Sequence, residues 1–106
     1  VIAAVGKRIT VLVDSGFRRG SDVVKALALG ANAVLIGRST LYGAAAAGEA
    51  GATRAITIFR EEIDRMLALI GCPSISALNP EYLTPNDQPA GARLAIAAST
   101  VAMGIV

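Results

Sequence analysis

Histidine is absent from these 106 residues, and so is tryptophan. Without an imidazole the chain holds no Ser-His or Cys-His nucleophile pair, no histidine general base and no His-ligated zinc. Any acid–base group is therefore a carboxylate or a lysine, or lies elsewhere in the polypeptide. The single cysteine, Cys72, excludes an internal disulfide and suits a reducing compartment. It sits in Gly71-Cys72-Pro73 and, lacking a histidine to activate it, reads as a structural thiol. Aromatics make up only 4% of the chain, and its ten basic residues, against eight acidic ones, are scattered apart from the pairs Lys7-Arg8 and Arg18-Arg19. With neither a basic stripe nor a stacking platform, nucleic acid is not favoured as a partner. The apolar stretch from Ala92 to Val106 falls short of the roughly twenty residues that a membrane span needs. A buried helix, an interface segment and a disordered tail all stay open for it.

What the chain does have is concentrated between Thr10 and Leu41, TVLVDSGFRRGSDVVKALALGANAVLIGRSTL. The run Thr10 to Val13 reads as a strand ending at Asp14-Ser15-Gly16, and Ala33 to Ile36 as a second strand ending at Gly37-Arg38. Parallel strands need a crossover of a dozen or so residues, which a helix from Ser21 to Gly30 supplies. Both strands then deliver a loop at the same end of the sheet. Each loop carries a glycine, which lets backbone N–H groups approach an anion, and an arginine, which offers a planar fork of donors. The pair suits a dianionic phosphate.

Beyond the second strand, Leu41 to Ala50 reads as a short alanine-rich helix packed through small residues and broken at Gly51. A longer helix from Thr53 to Ile70 follows, with Thr53 as its N-cap. Ile56, Phe59, Ile63, Met66, Leu67 and Ile70 form its apolar stripe. Glu61 and Arg65 are spaced to pair along it, Gly71 ends it and Pro73 prevents its continuation. Ser74 to Leu83 reads as a helical turn with a break at Asn79-Pro80, and Thr84 to Gly91 as a surface loop or linker.

Within the first loop, Asp14 has two readings of similar weight: accepting hydrogen bonds from sugar-like hydroxyls, or fixing the loop through the N–H groups of residues 16 to 18. Gly16 is expected in a conformation closed to other residues. Arg18 is the better anion ligand of the arginine pair, with Arg19 pointing to solvent, Ser21-Asp22 capping the crossover helix and Lys25 exposed. Gly37-Arg38 opens a helix whose N-terminal N–H groups add to an anion site.

Two strands with one crossover make a poor core. Val1 to Val5 reads as the last turn of a helix whose beginning is missing. The expected fold class is therefore α/β, the C-terminal part of a (β/α)8 TIM barrel. In such barrels the loops after strands seven and eight, with a short extra helix, often form a phosphate site. Residues 1–83 are expected to be that closing part and residues 84–106 a C-terminal tail.

The segment DSGFRRGSDVVKALALGANAVLIGR, with GRSTLYG and IGCPSISALNPEYL further on, resembles the flavin-phosphate end of the FMN-dependent 2-hydroxy acid dehydrogenases and oxidases, leaning toward the mandelate dehydrogenase branch. Many members carry Asp-Gly-Gly or Asp-Ala-Gly where this chain has Asp-Ser-Gly. The resemblance implies FMN as cofactor, with Asp14 on the ribityl hydroxyls. The backbones of Ser15, Gly16 and Phe17 with the Arg18 guanidinium would surround the phosphate, and Gly37 and Arg38 would complete the pocket. It also implies oxidation of an (S)-2-hydroxy acid, mandelate- or lactate-like, to a 2-oxo acid by a histidine and an arginine upstream of Val1. This chain alone would then be inactive. The implied partners are the remainder of the barrel, a small 2-hydroxy acid, an electron acceptor (oxygen, a quinone or a cytochrome) and further copies in a homo-oligomer. The implied location is cytoplasmic or peripheral at the inner membrane. Alternatives are another phosphate-binding barrel, such as an FMN-dependent isopentenyl diphosphate isomerase or an IMP dehydrogenase-like enzyme, and a non-catalytic barrel remnant.

Overall fold

Burial along the first strand alternates as a sheet covered on one side requires: Val11 is 8% exposed and Leu12 55% exposed. A computed structural model describes residues 1–6 and 8–86 of the chain. One helical turn, α1 (Ile2–Val5), leads to β1 (Leu12–Val13), α2 (Gly20–Ala28), β2 (Ala33–Val34) and the long helix α3 (Arg38–Leu69). Two 3₁₀ turns follow, at Ile75–Ala77 and Pro80–Tyr82. The strands are parallel, with Leu12 opposite Ala33 and Val13 opposite Val34. The β-α-β unit expected from the sequence is therefore present. Its strands are shorter than the runs Thr10 to Val13 and Ala33 to Ile36, because neighbouring backbone pairs only partly: Leu35 N–H reaches the Val13 carbonyl at 2.9 Å, and the Val11 N–H is taken by a side chain.

α2 covers one face of the sheet with Val23, Val24 and Ala28, all buried, and packs along α3, where Phe59 and Leu67 are buried. The other face carries Leu12, Ala33 and Leu35, all exposed. No large side chain among the described residues is fully enclosed. A parallel sheet normally buries both faces, so this one is half of a core.

Several boundaries differ from expectation. α2 begins at Gly20 with Arg19 as its N-cap, in place of the Ser21-Asp22 cap, because the Asp22 carboxylate reaches back to the N–H groups of Arg18 and Arg19, each at 3.1 Å. The break after the alanine-rich segment falls at Ala47-Gly48, where Gly48 takes φ +57°, and not at Gly51. Gly51 is instead helical and lies against Gly43: a Cβ on either would collide with the carbonyl of the other. The two arms of α3 touch backbone to backbone there, so the small-residue packing is real and its glycines set the close approach. Thr53 lies inside the second arm, where its carbonyl accepts the Thr57 hydroxyl at 2.9 Å, so it is not an N-cap. Ile56, expected in the apolar stripe, is 55% exposed. Glu61 pairs with Arg54 at 3.2 Å rather than with Arg65.

Gly71, with φ +68°, follows the end of α3 as expected, and Asn79 caps the Pro80–Tyr82 turn by accepting the Glu81 N–H at 2.8 Å. Cys72 is buried, with its thiol on the Ser74 carbonyl at 3.2 Å, which fits a structural role. Among the described residues no helix is long and apolar enough to cross a membrane, and no cluster of His, Cys, Asp and Glu is arranged to hold a metal. The stretch from Ala92 to Val106 and most of the expected linker lie outside the described residues.

Candidate functional site

The loop after β1 turns through two consecutive residues of positive φ, Ser15 at 84° and Gly16 at 86°. Gly16 thus adopts the conformation expected of it, and Ser15 adopts one that glycine tolerates better. Asp14 steadies the turn by accepting the Ser15 N–H at 2.7 Å. The N–H of Arg18, one of those expected to bond Asp14, goes to Asp22 instead. A Cβ added at Gly16 or at Gly37 would meet nothing within 4 Å. Both backbones therefore face open space, as close approach by a ligand requires.

The chain then enters α2, whose N-terminus is already neutralised. Glu62, from α3, accepts the Gly20 N–H at 2.7 Å and holds Arg19 by a fork, Nε at 3.2 Å and Nη2 at 2.6 Å. Arg19 is largely exposed, as expected, and its guanidinium is also tied to Glu62. These donors hold the Glu62 carboxyl below its ordinary pKa, the Gly20 N–H first and the Arg19 hydrogen bond second. With Asp22 and Glu62 both at this helix end, an anion finds no welcome there.

The N-terminus of α3 is the opposite case. Gly37 stands at its N-cap without a capping side chain. The N–H groups of Arg38, Ser39 and Thr40 have no acceptor among the described residues, the first backbone bond being Leu41 N–H to the Gly37 carbonyl at 3.0 Å. Unmatched N–H groups at a helix start, reinforced by the helix dipole, attract anions.

Arg18 and Arg38 share a cleft at this end. Together with Ser39 and Tyr42 they line one cleft of about 340 Å³. Neither arginine has an ion-pair partner among the described residues. The Ser39 hydroxyl bridges the two loops by donating to the Phe17 carbonyl at 3.5 Å, a long bond. Of the residues singled out from sequence, Arg18 and Arg38 thus face a common space. Asp14, Ser15, Gly16, Phe17 and Gly37 belong to the two loops around it without lining it. Ser39 and Tyr42 were missed; Tyr42 stands four residues after Arg38, on the same side of the helix, a spacing that could have found it. Glu62 was missed as well, and its partner lies too far away in sequence to be suspected.

Two uncompensated guanidinium groups and the positive end of a helix around one cleft repel one another until an anion sits among them. A phosphate monoester, carrying nearly two negative charges at pH 7 with several acceptor oxygens, matches that donor set. The carboxylate of Asp14 would repel phosphate and suits hydroxyl donors instead.

The chain is 62% identical over 82 residues to an (S)-mandelate dehydrogenase of Pseudomonas putida, covering 77% of this chain and 20% of that one. It is 45% identical over 83 residues to an L-lactate oxidase of a Nostoc species, covering 78% and 23%. Among solved structures, a monotopic membrane protein (S)-mandelate dehydrogenase superposes with a TM-score of 0.75 at 60% identity, covering 78% of this chain and 22% of that one. The chain spans about a fifth to a quarter of the length of these relatives. They do not favour the isomerase or IMP dehydrogenase-like alternatives. The model of the FMN-dependent dehydrogenases matches residues 1–85, and with these identities the chain belongs to that family.

Proposed function

We propose that this chain is the cofactor-phosphate end of an FMN-dependent enzyme that oxidises small (S)-2-hydroxy acids, mandelate- or lactate-like, to 2-oxo acids. β1 and β2 correspond on this reading to strands seven and eight of a (β/α)8 barrel, with residues 1–83 as its closing part. The exposed sheet face at Leu12, Ala33 and Leu35 supports this, since it is the face that further strands and their side chains would cover. The observation that carries the functional reading is the shared cleft of Arg18 and Arg38, both without ion-pair partners among the described residues, at the uncapped start of α3.

The residues fit FMN. Arg18, Arg38 and the N–H groups of Arg38, Ser39 and Thr40 would hold the phosphate. The open backbone at Gly16 and Gly37 admits it closely, and Asp14 would accept from the ribityl hydroxyls. When bound, FMN supplies the two-electron chemistry. The chain's own residues bind and orient it, and orientation counts because a displacement of about 1 Å can cost 10²-fold in rate. A histidine and an arginine outside this chain would act on the substrate. The electron acceptor differs among relatives named as dehydrogenases and oxidases, and a quinone, a cytochrome or oxygen would serve. Likeness to a monotopic membrane relative supports peripheral attachment at a membrane through a segment outside this chain. Assembly into a homo-oligomer belongs to the same reading.

The test is FMN retention by the full-length protein. Arg18→Ala and Arg38→Ala are each expected to weaken it by about ten- to a hundredfold, the loss of one charge-assisted contact, while the rate of flavin reduction in reloaded protein stays close to wild type. Normal FMN retention by both variants would overturn the assignment.

A further inference from the structure

Arg18 and Arg19 are adjacent and chemically identical, yet only Arg18 faces the cleft shared with Arg38. The difference lies in a residue of the last long helix. Glu62 takes both hydrogen-bonding edges it can reach: Oε1 and Oε2 clasp the Arg19 guanidinium, and Oε2 also accepts the Gly20 N–H. Asp22 takes the N–H groups of Arg18 and Arg19. Three successive backbone donors, at residues 18, 19 and 20, therefore end on carboxylates, and the guanidinium of Arg18 is left over.

We propose that Glu62 is a positioning residue for the anion site, holding Arg19 and Gly20 so that Arg18 alone of the pair is presented to the phosphate cleft. The inference rests on the reading of that cleft as the FMN-phosphate site. Three features support it. Glu62 is well enclosed, its side chain 17% exposed, whereas Arg19 is 72% exposed, so the carboxylate is the fixed member of the pair. Gly20 lies so close to α3 that a Cβ would stand 2.5 Å from the Glu62 Cβ, which brings its N–H within reach of the carboxylate. Finally, a carboxylate at the N-terminus of α2 cancels the attraction of that helix end for anions and leaves the start of α3 as the favoured seat. Glu62 therefore selects which arginine binds, and at which helix the phosphate sits.

The experiment compares FMN with riboflavin, which shares the ring and ribityl chain but lacks the phosphate, by measuring dissociation constants for both with the full-length protein. Glu62→Ala is expected to lower the preference for FMN over riboflavin by about tenfold, the effect of mispositioning one charge-assisted contact. Glu62→Gln keeps an acceptor for the Gly20 N–H but loses the ion pair, and is expected to lower the preference by about threefold. Equal weakening of both ligands, with the preference intact, would mean that Glu62 only supports the fold, and would overturn the proposal. If Glu62→Ala does not fold, Glu62→Gln decides: an unchanged preference overturns the proposal and a lowered one supports it. Arg18→Ala, measured alongside, separates the two levels. If it too leaves the preference intact, the phosphate reading itself fails. If it abolishes the preference while the Glu62 variants do not, only the role of Glu62 fails.

Discussion

Asn32 brackets Val11. Its side-chain Oδ1 accepts the Val11 N–H at 2.7 Å, while its own N–H donates to the Val11 carbonyl at 2.9 Å. The loop before β2 thereby imitates one more rung of the sheet. With so few paired residues in each strand, this rung does much to fix the register of Leu12 against Ala33. A slip of one residue would turn Asp14 to the opposite face.

Asn32→Ala is therefore expected to destabilise the full-length protein by about 1 kcal/mol, the cost of leaving a partly buried backbone donor without its protein partner. Asn32→Asp keeps the acceptor and is expected to cost less. Urea midpoints measure both, and equal midpoints for Asn32→Ala and wild type would show that water replaces the amide without loss.

Ser15 sits at φ +84°, a conformation that costs a non-glycine residue roughly 1–2 kcal/mol. Ser15→Gly is expected to recover part of this, about 0.5–1 kcal/mol after the added freedom of the unfolded chain is counted, and to leave FMN binding unchanged. Ser15→Val, branched at Cβ, is expected to destabilise and to weaken FMN retention with it. Thermal melts with and without FMN are the measurement, and a less stable Ser15→Gly would contradict the strain at this position.

At Gly20 two effects oppose each other. Alanine favours helix by up to about 1 kcal/mol, but its methyl would lie 2.5 Å from the Glu62 Cβ and 2.7 Å from the Ile63 backbone nitrogen. Backbone cannot swing aside as a side-chain tip can, and overpacking costs roughly 1–3 kcal/mol. The clash wins, so Gly20→Ala is expected to lower stability and to loosen the contact between α2 and α3. A melting temperature at or above wild type would refute this.

The ion pair of Glu62 has a pH signature. Its folded-state pKa is depressed below the ordinary 4.5 by the Gly20 N–H and then by Arg19. The stabilisation is therefore fully present above the ordinary value and is lost as pH falls through the lower folded one. The difference in unfolding midpoint between wild type and Glu62→Gln is expected to stay level from neutral pH to about 5 and to shrink below it. A difference that shrinks on the alkaline side of neutrality would point to another group.

What could be read from the sequence was mostly local. The β-branched runs, the Gly-Arg turns after them and the stop at Gly71 each announce themselves within a few residues, because strand alternation, anion-binding chemistry and positive φ are short-range properties. The break at Ala47-Gly48 could not be read. Small residues from Gly43 to Ala47 carry no periodicity, and contact between Gly43 and Gly51 decides where the chain bends. The start of α2 was misplaced for a similar reason, since its cap is set by Asp22 reaching backwards. The partner of Arg19 was invisible because Glu62 comes from a distant helix. For Glu61 and Glu62 alike, helical spacing points to neighbours along α3, whereas the folded chain offers Glu62 a better partner in Arg19.

The contact of Gly43 with Gly51 reaches further than its own turn. Arg38 stands at the tip of the short arm, so its distance from Arg18 is governed by a pair of α-hydrogens more than a helical turn away. One methyl at either position would act as a wedge, prising the arms apart and swinging the arginine outward. In a mutational library these two codons are expected to behave as though they belonged to the cleft, although neither lines it.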